Sequence, residues 1–143
     1  MTKIVYCADG VVRYRKGFVF VRRLAEKSAP YALPGGKQER NPDGTPAEPL
    51  FVTLLRELKE ETGLDGVIAG VLGTYADDGR DPRGQFVSTV FVVDAVGTLR
   101  SEAGKTEATY CKHYDVAPLF PLFGFDHADI MKDYFHLEPQ FFT

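Results

Sequence analysis

Residues 49–64 place an apolar stripe on one predicted helix. Apolar side chains recur there at i, i+3, i+4 and i+7, the spacing of a helix that buries one face. These residues are Phe51, Leu54, Leu55 and Leu58. Proline is well suited to the first position of a helix, as at Pro49, and Gly63 stands where a left-handed residue commonly ends one. The segment therefore predicts a helix that packs one face against the rest of the fold.

The same helix carries three carboxylates on another face. Glu57, Glu60 and Glu61 are spaced i, i+3 and i+4, and their centre lies about 120° from the apolar stripe at 100° per residue. Like charges so close together repel, and a helix selected only for stability gains from Lys or Arg between them. The cluster therefore predicts a bound cation.

The length and hydrophobic content set the expected organisation. A chain of 143 residues with 44% hydrophobic content predicts one domain over residues 1–143. It begins in strand-like sequence without a signal peptide and has no apolar run long enough for a bilayer, so we expect a soluble, cytoplasmic protein that does not bind membranes. Cys7 and Cys111 lack metal or redox spacing and are expected to be free thiols.

The charge of the chain is unevenly distributed. A net charge of −3 argues against general nucleic-acid binding. Residues 1–40 contain nine Lys or Arg and three acidic residues, which leaves eight and seventeen for the remainder. An acidic metal site that faces a basic, phosphate-attracting rim gives such a division, and so does ordinary surface charge.

Short β-rich runs occupy much of the remaining chain. Residues 11–14 and 18–22 predict a hairpin, and further strands are predicted at residues 67–72, 86–93 and 110–114. A last helix is predicted from His127 to about Phe135, with Asp126 as its cap. Strands that flank and separate two helices predict an α/β fold.

Fixed positions around the acidic helix resemble the signature of the Nudix hydrolases. That signature is Gly, five residues, Glu, seven residues, then Arg-Glu-apolar-x-Glu-Glu-x-Gly-apolar. Its second half fits from Glu48 to Leu64 without a gap, whereas eleven residues instead of five separate Gly36 from Glu48. We interpret the difference as a six-residue insertion within residues 40–46, a turn-rich surface loop that absorbs extra length at modest entropic cost.

The resemblance implies a fold and a metal site. The fold is the Nudix α/β/α sandwich, with a mixed β-sheet between helices. The implied ligands of Mg²⁺, or alternatively Mn²⁺, are the side chains of Glu57, Glu60 and Glu61 and the backbone carbonyl of Gly36. These carboxylates supply the hard oxygen atoms that Mg²⁺ prefers, and substrate phosphates complete its coordination.

Supporting and catalytic roles also follow from the resemblance. Arg56 is expected to point away from the carboxylate cluster and to form a salt bridge with Glu48 that ties the loop to the helix. A separate general base is expected from the loop between residues 99 and 110. Glu102 and Glu107 are the candidates there, and we prefer Glu107.

Residues 79–84 indicate the substrate class. Their sequence, Gly-Arg-Asp-Pro-Arg-Gly, resembles a segment of ADP-ribose pyrophosphatases. Arg80 and Arg83 suit bidentate contacts to phosphate or ribose oxygens. The alternative is a turn in which both arginines are solvated. Residues 125–130 resemble the same branch, and His127 is expected to be a first-turn helix residue and not a catalyst.

The implied function is metal-dependent hydrolysis of a nucleoside diphosphate linked to another moiety. ADP-ribose, cleaved to AMP and ribose 5-phosphate, is the expected substrate. The alternatives are a nucleoside triphosphate pyrophosphohydrolase and a non-catalytic ADP-ribose-binding Nudix module. The expected partner is the nucleotide substrate, nucleic acid is not expected, and the resemblance allows a homodimer.

Overall fold

The computed structural model describes residues 3–77 and 79–141. In chain order, its strands and helices are β1 (Ile4–Tyr14), β2 (Gly17–Arg23), β3 (Tyr31–Ala32), β4 (Gly35–Lys37), α1 (Leu50–Thr62), β5 (Asp65–Tyr75), β6 (Gln85–Val96), β7 (Thr106–Lys112) and α2 (His127–Leu137). Short 3₁₀ segments lie between β7 and α2 and after α2. The order confirms the predicted α/β class.

The strands form a mixed sheet. β1 runs parallel to β6 over its whole length, and β6 pairs antiparallel with β5 at the edge. The C-terminal end of β1 forms the predicted hairpin with β2, whereas its middle pairs with β4. β2 also pairs with β3 and β7. The long central strand β1 therefore connects the hairpin to the short strand that precedes α1.

The two helices cover opposite faces of this sheet. Neighbouring residues of a strand point to opposite faces, and Val11 and Val12 accordingly belong to different hydrophobic clusters. The Val11 cluster contains Ile130 and Met131 of α2, and the Val12 cluster contains Leu54 and Leu58 of α1. This arrangement is the expected sandwich of a mixed sheet between helices.

Helix α1 buries a different set of residues from the predicted stripe. Leu54 and Leu58 are fully buried, but Phe51 is 47% exposed, so its predicted burial was wrong. Thr53 and Thr62 are buried instead. Each threonine hydroxyl hydrogen-bonds locally, as when Thr62 Oγ1 donates to the Leu58 carbonyl at 2.6 Å. Local bonding lets polar residues occupy positions that periodicity assigns to apolar ones.

The ends of α1 and β7 differ slightly from the sequence expectation. α1 begins at Leu50 and Pro49 precedes it, while Gly63 has the expected left-handed conformation with φ 75°. The strand predicted at residues 110–114 is β7, which ends at Lys112. It ends there because its pairing with β2 stops at Gly17, where the β1–β2 hairpin turns. Tyr114 lies beyond the strand and is 89% exposed.

The inserted loop is closed at its base by backbone hydrogen bonds. The Ala47 N–H donates to the Glu39 carbonyl at 2.9 Å, and the Asn41 N–H donates to the Thr45 carbonyl at 2.8 Å. Arg40 and Pro46 form a bridge between these two bonds. Residues 40–46 therefore form a loop whose ends are joined at residues 39 and 47.

Two further expectations concern membrane-spanning segments and the number of domains. Among the described helices, none is both long and apolar enough to cross a membrane. The single domain over residues 1–143 stays a prediction.

Truncation of Leu58 tests the packing of α1. We expect Leu58→Ala to lower the free energy of unfolding by about 2–5 kcal/mol, because the side chain is fully buried. Val67→Ala is the control: Val67 is 70% exposed, so the change should stay within about 0.5 kcal/mol. Urea denaturation followed by circular dichroism measures both. Equal losses would contradict this account of the core.

Candidate active site

The backbone of β4 lies directly against the acidic helix. Gly36 pairs with Ala8 of β1, and a Cβ atom added to Gly36 would lie 2.5 Å from Cδ of Glu57. Such a separation is far below van der Waals contact. Only glycine therefore lets the strand approach the Glu57 carboxylate this closely.

Glu61 joins the same contact one turn later. The Gly35 N–H donates to Glu61 Oε1 at 2.9 Å. Burial raises the pKa of Glu61 to about 9, and the charges of Glu57, Asp9 and Glu102 add to this effect. Burial, followed by the charge of Glu60, also raises the pKa of Glu57. A positive ion beside these carboxylates would offset the repulsion that raises both pKa values.

The three predicted carboxylate ligands differ in their exposure to solvent. The side chain of Glu60 is 48% exposed, compared with 21% for Glu57. Within residues 3–77 and 79–141, no group of three or more His, Cys, Asp or Glu side chains is arranged to hold a metal ion by itself. Mg²⁺ commonly keeps several waters and takes one or two carboxylates plus substrate phosphates. Glu57 and Glu61, with the adjacent Gly36 backbone, fit that kind of site.

Arg56 contacts both the loop and the acidic cluster. Its guanidinium lies 2.6 Å from Glu48, as the salt-bridge expectation required, and 3.1 Å from Glu57 and 3.6 Å from Glu60. The expectation that Arg56 points away from the cluster was therefore wrong. Its guanidinium lies between Glu48 and the helix carboxylates Glu57 and Glu60, so one cation contacts all three carboxylates. Glu48 also accepts a hydrogen bond from Thr53 Oγ1 at 3.0 Å, and the Arg56 hydrogen bond lowers its pKa.

The two general-base candidates occupy different environments. Glu107 is exposed on β7, where its carboxylate pairs with Arg22 at 2.5 Å. Glu102 is half-buried in the preceding loop, and its charge raises the pKa of both Glu57 and Glu61. The Arg100 N–H donates to the Thr62 carbonyl at 2.8 Å, so the loop that carries Glu102 starts beside the end of the acidic helix. The preference for Glu107 stays a prediction.

A cavity of about 270 Å³ adjoins Gly35, Gly36 and Glu61. Arg80 and Arg83 both line it, and the buried Arg80 is not the solvated turn residue of the alternative interpretation. The Arg80 side chain is 7% exposed and binds both Asp126 carboxylate oxygens, at 2.6 and 2.8 Å. Asp126 makes no side-chain capping hydrogen bond to α2, so the cap prediction was wrong. The Asp126 carboxylate accepts hydrogen bonds from the Arg80 guanidinium instead.

Arg83 lies in an aromatic environment. Its guanidinium carbon is 4.6 Å from the ring centre of Phe86 and 5.1 Å from that of Phe125. Asp81, which is 5% exposed, pairs with the same guanidinium at 2.7 Å. Cation–π contacts and one carboxylate therefore position Arg83 at the cavity wall.

Sequence reasoning did not identify Asp9 as part of this cavity. Asp9 is buried on β1, and its carboxylate accepts a hydrogen bond from the Ser88 hydroxyl of β6. Burial raises its pKa to about 6. The available signal was a carboxylate within a run of small and apolar strand residues, where an unpaired charge is costly.

Comparisons with known proteins assign the chain to a family. A model of the NUDIX domain matches residues 6–134. The chain belongs to the NUDIX family. Nudix hydrolases act on pyrophosphate bonds, and the resemblance seen around the acidic helix is confirmed. An ADP-ribose pyrophosphatase of Methanocaldococcus jannaschii is 35% identical over 131 residues, which cover 88% of this Nudix chain and 70% of that protein.

Solved structures confirm the Nudix fold. A bifunctional NMN adenylyltransferase/ADP ribose pyrophosphatase from Francisella tularensis, complexed with AMP and a Mn ion, matches 96% of this chain with a TM-score of 0.79 and 18% identity. The chain spans 42% of that longer protein. The NUDIX domain of Shewanella oneidensis NrtR, complexed with ADP ribose, matches 96% of this chain and 90% of its own, with a TM-score of 0.74 and 19% identity. At such identities the likeness concerns the fold alone.

Replacement of Gly36 tests the contact between β4 and α1. We expect Gly36→Ala to weaken Mn²⁺ binding by at least about tenfold, since the added methyl group displaces the Glu57 carboxylate. Calorimetric titration with Mn²⁺ measures the effect. Gly73→Ala is the control, because the nearest atom to its new Cβ is 3.7 Å away. Unchanged affinity in Gly36→Ala would remove this contact from the metal site.

Proposed function

We propose that this Nudix protein hydrolyses ADP-ribose to AMP and ribose 5-phosphate with Mg²⁺ or Mn²⁺. The observation that carries the proposal is a single cavity lined both by Glu61 with the Gly35–Gly36 backbone and by Arg80 and Arg83. Such a cavity suits a ligand that has both a metal-binding diphosphate and neighbouring oxygen acceptors. The choice of ADP-ribose is supported by the activity named for the Methanocaldococcus jannaschii relative.

The proposed metal ligands are Glu57, Glu61 and the carbonyl group of Gly36. Glu60 is more exposed and would share a second ion from the outer side of the helix. A divalent ion bound there supplies charge neutralisation for the phosphates and lowers the pKa of a water molecule. Arg56 would keep Glu57 and Glu60 oriented through its 3.1 and 3.6 Å contacts.

Glu102 is the proposed general base. Its position near Glu57 and Glu61 suits removal of a proton from water as the water oxygen bonds to phosphorus. The phosphoanhydride P–O bond then breaks, and the leaving phosphate retains the bridging oxygen. One water is consumed, and the two products are phosphate monoesters. Glu107, paired with Arg22, would have no part in this step.

The proposed roles of Arg80 and Arg83 differ because their surroundings differ. Arg80 is buried and bound to both oxygens of Asp126, so it would mainly fix residues 79–84 against α2. The Arg83 side chain is 55% exposed, and its pair with Asp81 leaves donors available to phosphate or ribose oxygens. Arg83 is therefore the stronger candidate for direct substrate contact.

A substrate screen tests the proposed function. With Mg²⁺ or Mn²⁺ present, we expect ADP-ribose to have the highest kcat/KM among nucleoside diphosphate derivatives and nucleoside triphosphates. Chromatography should detect AMP and ribose 5-phosphate in equal amounts. Inert ADP-ribose together with rapid triphosphate turnover and pyrophosphate release would reject the proposal in favour of a triphosphate pyrophosphohydrolase. Tight ADP-ribose binding without turnover of any compound would indicate a binding module.

Substitution of the helix carboxylates tests the metal assignment. We expect Glu57→Gln and Glu61→Gln each to lower kcat/KM by orders of magnitude while circular dichroism stays unchanged, because an amide is a neutral and weaker ligand. Glu107→Gln is the matched control and should retain wild-type activity. Wild-type activity of either helix variant in Mg²⁺ would refute its role as a ligand.

Substitution of Glu102 tests the proposed base. We expect Glu102→Gln to lower kcat by about 10²- to 10⁴-fold, the usual contribution of general acid–base catalysis. Metal affinity should change little, which calorimetry with Mn²⁺ can check. If Glu107→Gln lost activity and Glu102→Gln did not, the original preference for Glu107 would be restored.

A further inference from the structure

His127 is a buried side chain that lines the cavity on the side of α2. It is 5% exposed, and its Nδ1 accepts a hydrogen bond from the Leu33 N–H at 3.0 Å. Leu33 precedes the Pro34-Gly35-Gly36 turn that approaches the acidic helix. The ring is thus fixed at one nitrogen by the segment that also contributes to the proposed metal site.

This hydrogen bond determines the tautomer of His127. An acceptor Nδ1 carries no proton, so the proton of the neutral ring is on Nε2. Burial lowers the pKa of His127 to about 4, and the charges of Arg80 and Arg23 act in the same direction, against those of Asp126 and Asp81. The ring is consequently neutral at physiological pH. Among residues 3–77 and 79–141, Nε2 of His127 has no hydrogen-bond partner.

The residue two positions earlier holds an unfavourable backbone conformation beside this ring. Phe125 has φ 56°, a left-handed value that is uncommon for a bulky side chain. Its ring lies 5.1 Å from the His127 ring and 4.7 Å from the Arg23 guanidinium carbon. Strained residues of this kind persist where surrounding structure fixes them and are frequent in ligand-binding sites. Phe125 also lines the cavity, next to His127.

We propose that His127 Nε2–H is a substrate-binding donor, which hydrogen-bonds an oxygen atom of the ribose-phosphate part of the ligand. This inference rests on the proposed binding of a ribose-linked diphosphate. A diphosphate held at Glu57 and Glu61 has a ribose attached through phosphate oxygen, and both groups offer acceptors. Because the donor is neutral, it can orient either kind of oxygen without competing with a metal ion for the carboxylates.

Asparagine and glutamine separate the two nitrogens of His127. The amide oxygen of Asn lies near the position of Nδ1, so His127→Asn retains an acceptor for Leu33 and removes the Nε2–H donor. The amide nitrogen of Gln extends to the position of Nε2, so His127→Gln restores a donor there. His136→Asn is the matched control, because His136 lies exposed on the same helix.

The experiment measures binding of AMP, ribose 5-phosphate and inorganic phosphate by calorimetry with Mg²⁺. These ligands contain no phosphoanhydride bond, so they are not consumed whichever substrate the enzyme prefers. We expect His127→Asn to weaken AMP and ribose 5-phosphate binding by about 3- to 10-fold, the effect of one neutral hydrogen bond. His127→Gln should recover most of the loss, and His136→Asn should match the wild type.

The pattern across ligands identifies the acceptor. If it is a ribose oxygen, inorganic phosphate binds His127→Asn and the wild type equally; if it is a phosphate oxygen, all three ligands weaken by the same factor. Equal binding of all three by the wild type and His127→Asn overturns the inference. So does equal weakening in both variants together with a lower Tm, which would indicate a structural role.

KM provides the deciding readout if the wild type binds none of the three ligands. It is measured with the compound of highest kcat/KM in the substrate screen. His127→Asn should raise this KM by about 3- to 10-fold, and an unchanged value overturns the inference. Failure of the proposed function would show separately, as absence of ADP-ribose turnover by the wild type.

Discussion

Residues 33–36 are held by hydrogen bonds to both helices and to the central strand. The Leu33 N–H binds His127 of α2, and the Gly35 N–H binds Glu61 of α1. The intervening Pro34 carbonyl accepts the Gly10 N–H of β1 at 2.9 Å. Four consecutive residues thus couple the two layers of helices through the sheet. The distance between acidic helix and cavity depends on this short segment, and so does the orientation of His127.

The charges around the cavity are balanced in local pairs. Arg80 pairs with Asp126, Arg83 pairs with Asp81, and Arg56 lies among the carboxylates of Glu48, Glu57 and Glu60. Glu61 and Asp9 depart from this arrangement, since their hydrogen-bond donors are the Gly35 N–H and the Ser88 hydroxyl and the pKa of each is raised. A site that pairs its arginines in advance avoids the cost of isolated buried charges. A positive charge beside Glu61 would therefore stabilise this site most.

The sequence predicted features that depend on local spacing. The acidic face of α1, the left-handed Gly63 and the β1–β2 hairpin all follow from patterns within a few residues. Features set by distant contacts were less predictable. Phe51 is exposed although its periodicity predicts burial, whereas Thr53 and Thr62, whose hydroxyls hydrogen-bond locally, are buried on the same helix. Asp126 has the position of a cap, but Arg80, 46 residues away, binds its carboxylate.

The inserted loop allows chain length to vary beside the candidate site without moving it. The bonds at residues 39, 41, 45 and 47 close its base before the chain reaches Glu48. Residues 42–44 therefore protrude as a separately closed turn, with no need to carry strain into α1. A short reporter peptide inserted in that turn would stay near the acidic helix and leave the ion pair between Glu48 and Arg56 intact. The loop thus gives experimental access to the site without substitution of its proposed metal ligands.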